Sequence, residues 1–505
     1  MHSTLARRTF AIALVLAAAG CASQSGQLQA PHAKIQPPAA GPFQVGLRAP
    51  AGAHAPRYGL QALPTSPHLI GSAFLEANQQ PCALRGSANL AYNTQDKTYL
   101  AVWTEELFSN GHYRIRGRIK DDYGQTQIPD FTIASSANDL FTTGNGKAVY
   151  LPWLNQFAIV YTKETEEASW GYDVFMQRIS TSGALIGEPI PISKADGDQE
   201  VPDLAVDPIN RRVEVVWADE RSGVYTIFGR LVSFNGNQTV FLTNETMLGM
   251  SPPDPDHGYQ TAFQGDPSID FSTAQQKYVV VWEDLRNDHG DAVDENYDIY
   301  GTTLNASGMA VTDNYPVSTL QGRQYVPRIA YLAASDKFLT VFTSENNGEQ
   351  DADALGVGME GDGSVLGWGV ISDQFGIQQF PVVAANDASM TWLVSYTESV
   401  NPEADGALHV MGRHVGWAFQ LGDIFQVSPF VPGMFNSIGI AANPDMQEFL
   451  VDYVALTEHG QPVPPDELTP FQVTAPVQNA PIQPQPTTSA SPQITLWGQR
   501  VDRGY

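Results

Sequence analysis

The chain has 505 residues, 42% of them hydrophobic and 10% aromatic, which is enough apolar material for a large core and excludes a wholly disordered chain. Against 54 Asp and Glu stand only 27 Lys and Arg, a net charge of −27. That balance excludes nucleic acid as a partner, because neutralising a phosphate backbone needs clustered cations.

The acid is not spread evenly: all 54 carboxylates lie beyond residue 75, whereas Arg7, Arg8, Lys34, Arg48 and Arg57 precede it. Two arginines lead into an apolar run from Phe10 to Ala19. About ten apolar residues are too few for a bilayer core that needs about twenty, so the segment reads as an export signal rather than a span. Its end, Ala18-Ala19-Gly20-Cys21, resembles the lipobox of bacterial lipoproteins. The resemblance implies a signal peptide over residues 1–20, cleavage before Cys21 and lipid on its sulfur; an ordinary secretory signal with a chance cysteine is the other reading. Ala22, where an Asp would favour retention at the inner membrane, implies an outer-membrane address in a Gram-negative envelope. Arg7-Arg8-Thr9-Phe10 also resembles a twin-arginine signal, which leaves both export routes open. With Cys21 lipidated, the second cysteine, Cys82, has no partner for an intrachain disulfide.

Residues 21–66 are rich in Ala, Pro, Gln and Gly without hydrophobic periodicity, and are expected to form a flexible tether. Residues 67–505 carry a repeat. An aromatic residue closes a β-branched run at Trp103, Tyr161, Trp217, Trp282, Phe342, Tyr396 and Tyr453, at intervals of 54 to 65 residues. Strand-like alternation at this period, with no long helical pattern, predicts an all-β, seven-bladed β-propeller with four-stranded blades. An array of two-sheet sandwiches is the alternative. Within a unit, the first strand is a short run after proline, as in Pro202–Val206, Pro267–Phe271 and Pro327–Tyr331. The aromatic run is the second strand. The third holds a small residue near its middle, such as Gly117, Gly229, Gly301 or Gly412, and the fourth follows a turn, as in Leu185–Ser193.

The last unit supplies only three strands, and a proline-rich loop (457–493) interrupts it. His68–Ala77 matches Ala184–Ser193 and is expected to complete that blade, so that both chain ends share one sheet and no edge is left open.

Val279-Val-Val-Trp-Glu-Asp-Leu-Arg286 with Tyr297–Gly301, and Val215–Arg221 with Ile227–Gly229, resemble the repeats of secreted bacterial β-propellers and are similar to those of TolB-type periplasmic propellers. The resemblance implies an interaction role in the envelope. The Ser-x-Asp-x-Gly-x-Thr-Trp boxes of sialidases are absent.

Chemistry concentrates after the second strands. Those loops contain Glu105, Glu106, Glu166, Glu167, Asp219, Glu220, Asp284, Asp351, Asp353, Glu403 and Asp405, which would make one rim anionic and attractive to a cationic ligand or a basic envelope protein. Solvated hairpin loops would have the same composition. In the fourth unit Asp288, Asp291, Asp294, Glu295 and Asp298 place oxygen donors on one short segment, the ligand type that Ca²⁺ takes, although Arg286 and Gly290 break the EF-hand pattern. The histidines do not fall at His-x-x-x-His spacing, so no zinc site is expected. No Gly-x-Ser-x-Gly elbow appears, and no catalytic residue is assigned. Asp203, Asp207 and Asp270, on or beside first strands, either face the channel and act on a sugar or hold channel water. The expectation is therefore a monomeric, lipid-anchored binding propeller that meets a protein or cationic ligand on its acidic rim. The competing expectation is a Ca²⁺-assisted polysaccharide hydrolase or lyase working in the channel.

Overall fold

In the computed structural model, the described residues are 68–75, 83–107, 112–135, 141–142, 147–165, 171–250, 262–287, 296–345, 352–374, 376–399, 407–428, 431–432, 438–457 and 493–504. They form a seven-bladed β-propeller of antiparallel, four-stranded blades. Blade 3 shows the plan: Gln199–Asp207, Arg212–Asp219, Thr226–Asn235 and Gln238–Phe241 pair in chain order. The first strands of successive blades touch one another around the centre, so they line the channel, and the fourth strands lie outermost.

Burial explains why the second strands are the strongest sequence signal. Lys277–Asp284 is buried at every position but the first, because neighbouring blades cover both faces of it. It is therefore a continuous apolar run, where the outer strand Leu185–Ser193 is mostly exposed and mixed in composition. Each of the seven blade-to-blade seams holds one apolar cluster. Trp217 packs at the seam of blades 2 and 3, Trp282 at that of blades 3 and 4, and Trp392 at that of blades 5 and 6. The small residue in the third strands makes room for the fourth: a Cβ on Gly117 would lie 2.7 Å from the Phe131 ring, and one on Gly412 2.7 Å from Phe425.

Closure is as the repeat count requires. Leu69–Leu75 pairs antiparallel with Gln493–Val501, which continues to Glu448–Thr457 and Ile438–Asn443 as blade 7. A strand from each end of the chain thus shares one sheet.

One feature repeats that strand periodicity alone does not convey. The first strands of blades 3 to 6 all slip register near their start, between Glu200 and Asp203, Gly265 and Ser268, Tyr325 and Arg328, and Gln379 and Val382. At each slip a non-glycine residue takes a left-handed conformation directly before a proline: Val201 (φ 51), Asp266 (φ 44), Val326 (φ 53) and Phe380 (φ 55). Such a conformation costs about 1–3 kcal/mol per residue and clusters at functional sites. Bulges also re-aim the side chains that follow. Here they bend the inner strands at the same end of the channel at which the second strands finish.

Candidate functional site at the channel mouth

The second strands of blades 3 and 4 end in the same brace. Trp217 Nε1 donates to Asp219 Oδ2 at 2.7 Å, and Arg221 returns to the same carboxylate through its backbone N–H (3.0 Å) and Nε (2.8 Å). Trp282, Asp284 and Arg286 repeat this at 2.8, 2.9 and 2.9 Å. The guanidinium then covers an aromatic ring of the third strand, Phe228 at 4.3 Å or Tyr300 at 3.9 Å. The Trp-x-Asp-x-Arg spacing follows: residues two apart on a strand share a face, and the turn brings the arginine back over them.

This sorts the rim acids. Asp219 and Asp284 are fully buried in their braces, so they fix the loops rather than present charge to a partner. Glu105 is buried, with Arg114 and Arg116 each 3.9 Å away. Asp298 is buried too; Asn287 donates to it at 2.6 Å, and burial, then the Asp284 charge, raise its pKa to about 6 against the pull of Asn287 and Arg286. Glu220 is half-buried in a loop, and Asp353 is half-buried at the start of the strand Ala352–Glu360. The side chain of Glu106 and all of Cys21, Glu166, Glu167, Asp288, Asp291, Asp294, Glu295, Asp351, Glu403 and Asp405 lie outside the described residues.

The channel acids have backbone partners. Asp203 accepts from Leu204 N–H (2.8 Å), Ser268 Oγ (3.0 Å) and Ile269 N–H (3.1 Å), tying blade 3 to blade 4. Asp270 accepts from Phe271 N–H (2.8 Å) and Tyr331 N–H (2.9 Å), tying blade 4 to blade 5. Asp207 closes its own hairpin turn through Ile209 and Asn210. Their carboxylates are thus structural bearings of the ring. Burial lowers the pKa of Lys147 beside them, but the charges of Asp270 and Asp203 more than offset it and hold the amine protonated.

Above these bearings, the bulged strands gather a second set of groups that composition did not single out. Glu200 accepts from Tyr225 Oη at 3.1 Å, and the same hydroxyl lies 3.4 Å from Asp198. Burial, then the charge of Asp198, raise the Glu200 pKa to about 8; Glu220 and Asp266 add to the rise and the tyrosine opposes it. Glu283, buried in blade 4, is held well above the carboxylate range by burial and by Asp266, although Val326 N–H donates to it at 3.2 Å and Arg323 and Arg328 lie nearby. In blade 5 Tyr325 Oη donates to Glu345 at 2.6 Å and receives Gln379 Nε2 at 3.1 Å. Rings connect the groups: Phe263 meets Tyr225 and Tyr297 edge-on at 5.8 Å each, and Arg323 lies over Tyr297 and Tyr325 at 5.7 and 5.5 Å. The result is a half-buried patch on blades 3 to 6 in which carboxylates outnumber arginines and at least one carboxyl is kept partly protonated near neutral pH. The available signal was the repeated residue-proline pair, Val201-Pro202, Asp266-Pro267, Val326-Pro327 and Phe380-Pro381, which marks the bulges.

No protein-family model matches the chain, and no curated protein is similar to it. Among solved structures, an α-L-arabinofuranosidase from Fusarium graminearum in complex with an iminosugar inhibitor is 12% identical with a TM-score of 0.44, over 63% of this chain and 92% of that one. A Hadza microbial sialidase is 9% identical (TM-score 0.41; 70% and 74% covered). The β-propeller domain of the Trilobed protease from Pyrococcus furiosus is 11% identical (TM-score 0.38; 74% and 90% covered). No chemistry passes to this chain from likenesses of that size.

Proposed function

We propose that the chain is a binding propeller of the bacterial envelope, held to the membrane through Cys21, and that it seats a cationic group of its partner at the bulged mouth of the channel. The observation that carries this is Glu200: a carboxyl raised to about 8 by burial and by Asp198, Glu220 and Asp266 is a site where negative charge is crowded and under-compensated. A lysine, arginine or amino-sugar cation placed there relieves that crowding and lets Glu200 ionise. The buried rim acids shift the expected contact inward, from the outer loops to the mouth. Affinity of the full chain for lysine- and arginine-rich peptides tests the reading. Glu200→Gln should weaken binding about tenfold or more, the worth of one charge-assisted hydrogen bond. Asp353→Asn at the start of the third strand of blade 5 (Ala352–Glu360) should leave it unchanged; the reverse order would return the contact to the rim.

A second reading is favoured by the same raised pKa. A carboxyl that keeps its proton near neutrality can act as general acid on a glycosidic oxygen. Turnover of a neutral oligosaccharide by the wild type, abolished in Glu200→Gln, would put hydrolysis ahead of binding.

A further inference from the structure

Away from the mouth, the closure seam brings together three side chains from distant parts of the chain. His68 precedes the N-terminal strand, His414 lies in the third strand of blade 6 (Ala407–Gly416), and Asp502 follows the last strand of blade 7. His68 Nδ1 is 3.0 Å from Asp502 Oδ1, and His414 Nε2 is 3.4 Å from the same oxygen. One ligand atom from each residue lies within 4.8 Å of the other two. A tetrahedral ion with bonds of about 2.0–2.2 Å sets its ligands about 3.3–3.6 Å apart, and the 3.0 and 3.4 Å contacts to the shared Asp502 oxygen lie close to that spacing.

The second observation is His414 itself. Its side chain is 1% exposed, yet Nδ1 has no hydrogen-bond partner among the described residues and Nε2 has only the 3.4 Å approach to Asp502. Burying an imidazole so poorly satisfied is costly unless something else engages it. The surroundings suit a metal. Phe425 lies against both rings at 4.8 and 5.4 Å, and Phe449 lies 5.8 Å from His414, which screens the His414 side of the cluster from water. Gly504 N–H donates to Asp502 Oδ1 at 2.9 Å, and Asp502 N–H donates to the His68 carbonyl at 2.9 Å, so the carboxylate is oriented by the chain around it. A Cβ at Gly504 would collide with the His414 ring, which requires glycine where the tail folds over the site.

We propose that His68, His414 and Asp502 bind one Zn²⁺ ion, with a fourth position left to water, and that the ion fastens the N-terminal strand and the C-terminal tail to blade 6. Two imidazoles and one carboxylate are a borderline-soft donor set, which suits zinc and disfavours Ca²⁺ or Mg²⁺. Histidine spacing along the chain gave no hint of it, because His68 and Asp502 are 434 positions apart and only closure of the ring joins them.

Calorimetric titration of ZnCl₂ into the metal-free full chain, with a thermal melt in parallel, tests the site. The expected result is one ion per chain and a rise in Tm on adding zinc, with neither response to CaCl₂. Both responses should be lost in His68→Ala and in Asp502→Asn, variants at partly exposed positions whose metal-free melts should remain cooperative. Cobalt substitution supplies a readout independent of stability: intense visible absorption of a tetrahedral Co²⁺ centre in the wild type and none in the two variants. Absence of zinc binding by the wild type, or unchanged one-to-one binding in the His68→Ala/Asp502→Asn double variant, would overturn the proposal.

Discussion

Lys120 at the end of the third strand of blade 1 and Asp452 in the second strand of blade 7 form an ion pair across the closing seam. Nζ lies 2.8 and 2.7 Å from the two carboxylate oxygens, and both side chains are 1% exposed. Among the described residues, the apolar cluster at this seam is the smallest of the seven and is built from Leu90, Tyr92, Tyr99, Ala101, Ala441 and Leu450. The pair gives the first and last blades a specific register. Removing one partner strands the other charge in the seam. Lys120→Met or Asp452→Leu alone should cost about 3–5 kcal/mol, and the two together should recover most of that loss. Urea unfolding of the four proteins measures it; equal losses in the single and double variants would assign the cost to packing instead.

The braces predict a local effect. Asp219→Asn and Asp284→Asn each keep the shape of the side chain but remove the charge that Arg221 or Arg286 grips, and should cost about 1–3 kcal/mol each. Because Trp217 and Trp282 donate to these carboxylates, tryptophan emission should change in the same variants. An unperturbed melt and spectrum would mean that the loops hold their form without the brace.

Stability should also depend on pH in a definite direction. Glu200, with a pKa of about 8, and Glu398, raised to about 7 by burial, both have folded values above the ordinary 4.5. A carboxyl whose folded pKa is raised takes up a proton on folding. Its stabilising contribution is complete below about pH 4.5 and is lost as pH climbs through its folded value. Among the described residues, the groups that act most strongly on Glu200 are Asp198, Tyr225, Glu220 and Asp266, and none of these is cationic. Unfolding free energy should fall between pH 5 and 8, and Glu200→Gln should flatten the upper part of that slope. A profile identical to that of the wild type would show that Glu200 ionises freely.

The N-terminal strand predicts a global effect. Leu69–Leu75 is the outer strand of blade 7, and its loss exposes the edge of Gln493–Val501. Deleting residues 67–77 should abolish cooperative unfolding, as followed by calorimetry; a melt that stays sharp at an unchanged Tm would mean that the other six blades stand without it.

The ring and its closure were legible in the sequence because second strands buried on both faces are written as runs such as Val279–Trp282, and because the seventh unit stops one strand short. The mouth was less legible. Glu200, Asp266 and Arg328 look ordinary along the chain, and what unites them is a bulge at Val201, Asp266 and Val326 that aims side chains from three blades at one place. Rim acids misled for the opposite reason. Asp219 and Asp284 sit in a polar stretch that reads as a solvated loop, but their spacing from Trp and Arg turns each inward. Composition reports charge; only the strand's face and the turn decide whether it meets water.

The seating of a cation beside Glu200 is tested most directly by proton release. Calorimetry of a basic peptide at pH 7.5, repeated in two buffers of different ionisation enthalpy, gives the number of protons exchanged on binding. A carboxyl with a pKa of about 8 that ionises against a cation should release a substantial fraction of one proton, and Glu200→Gln should bind more weakly and release none. Binding with equal affinity and no proton release in both proteins would contradict the account.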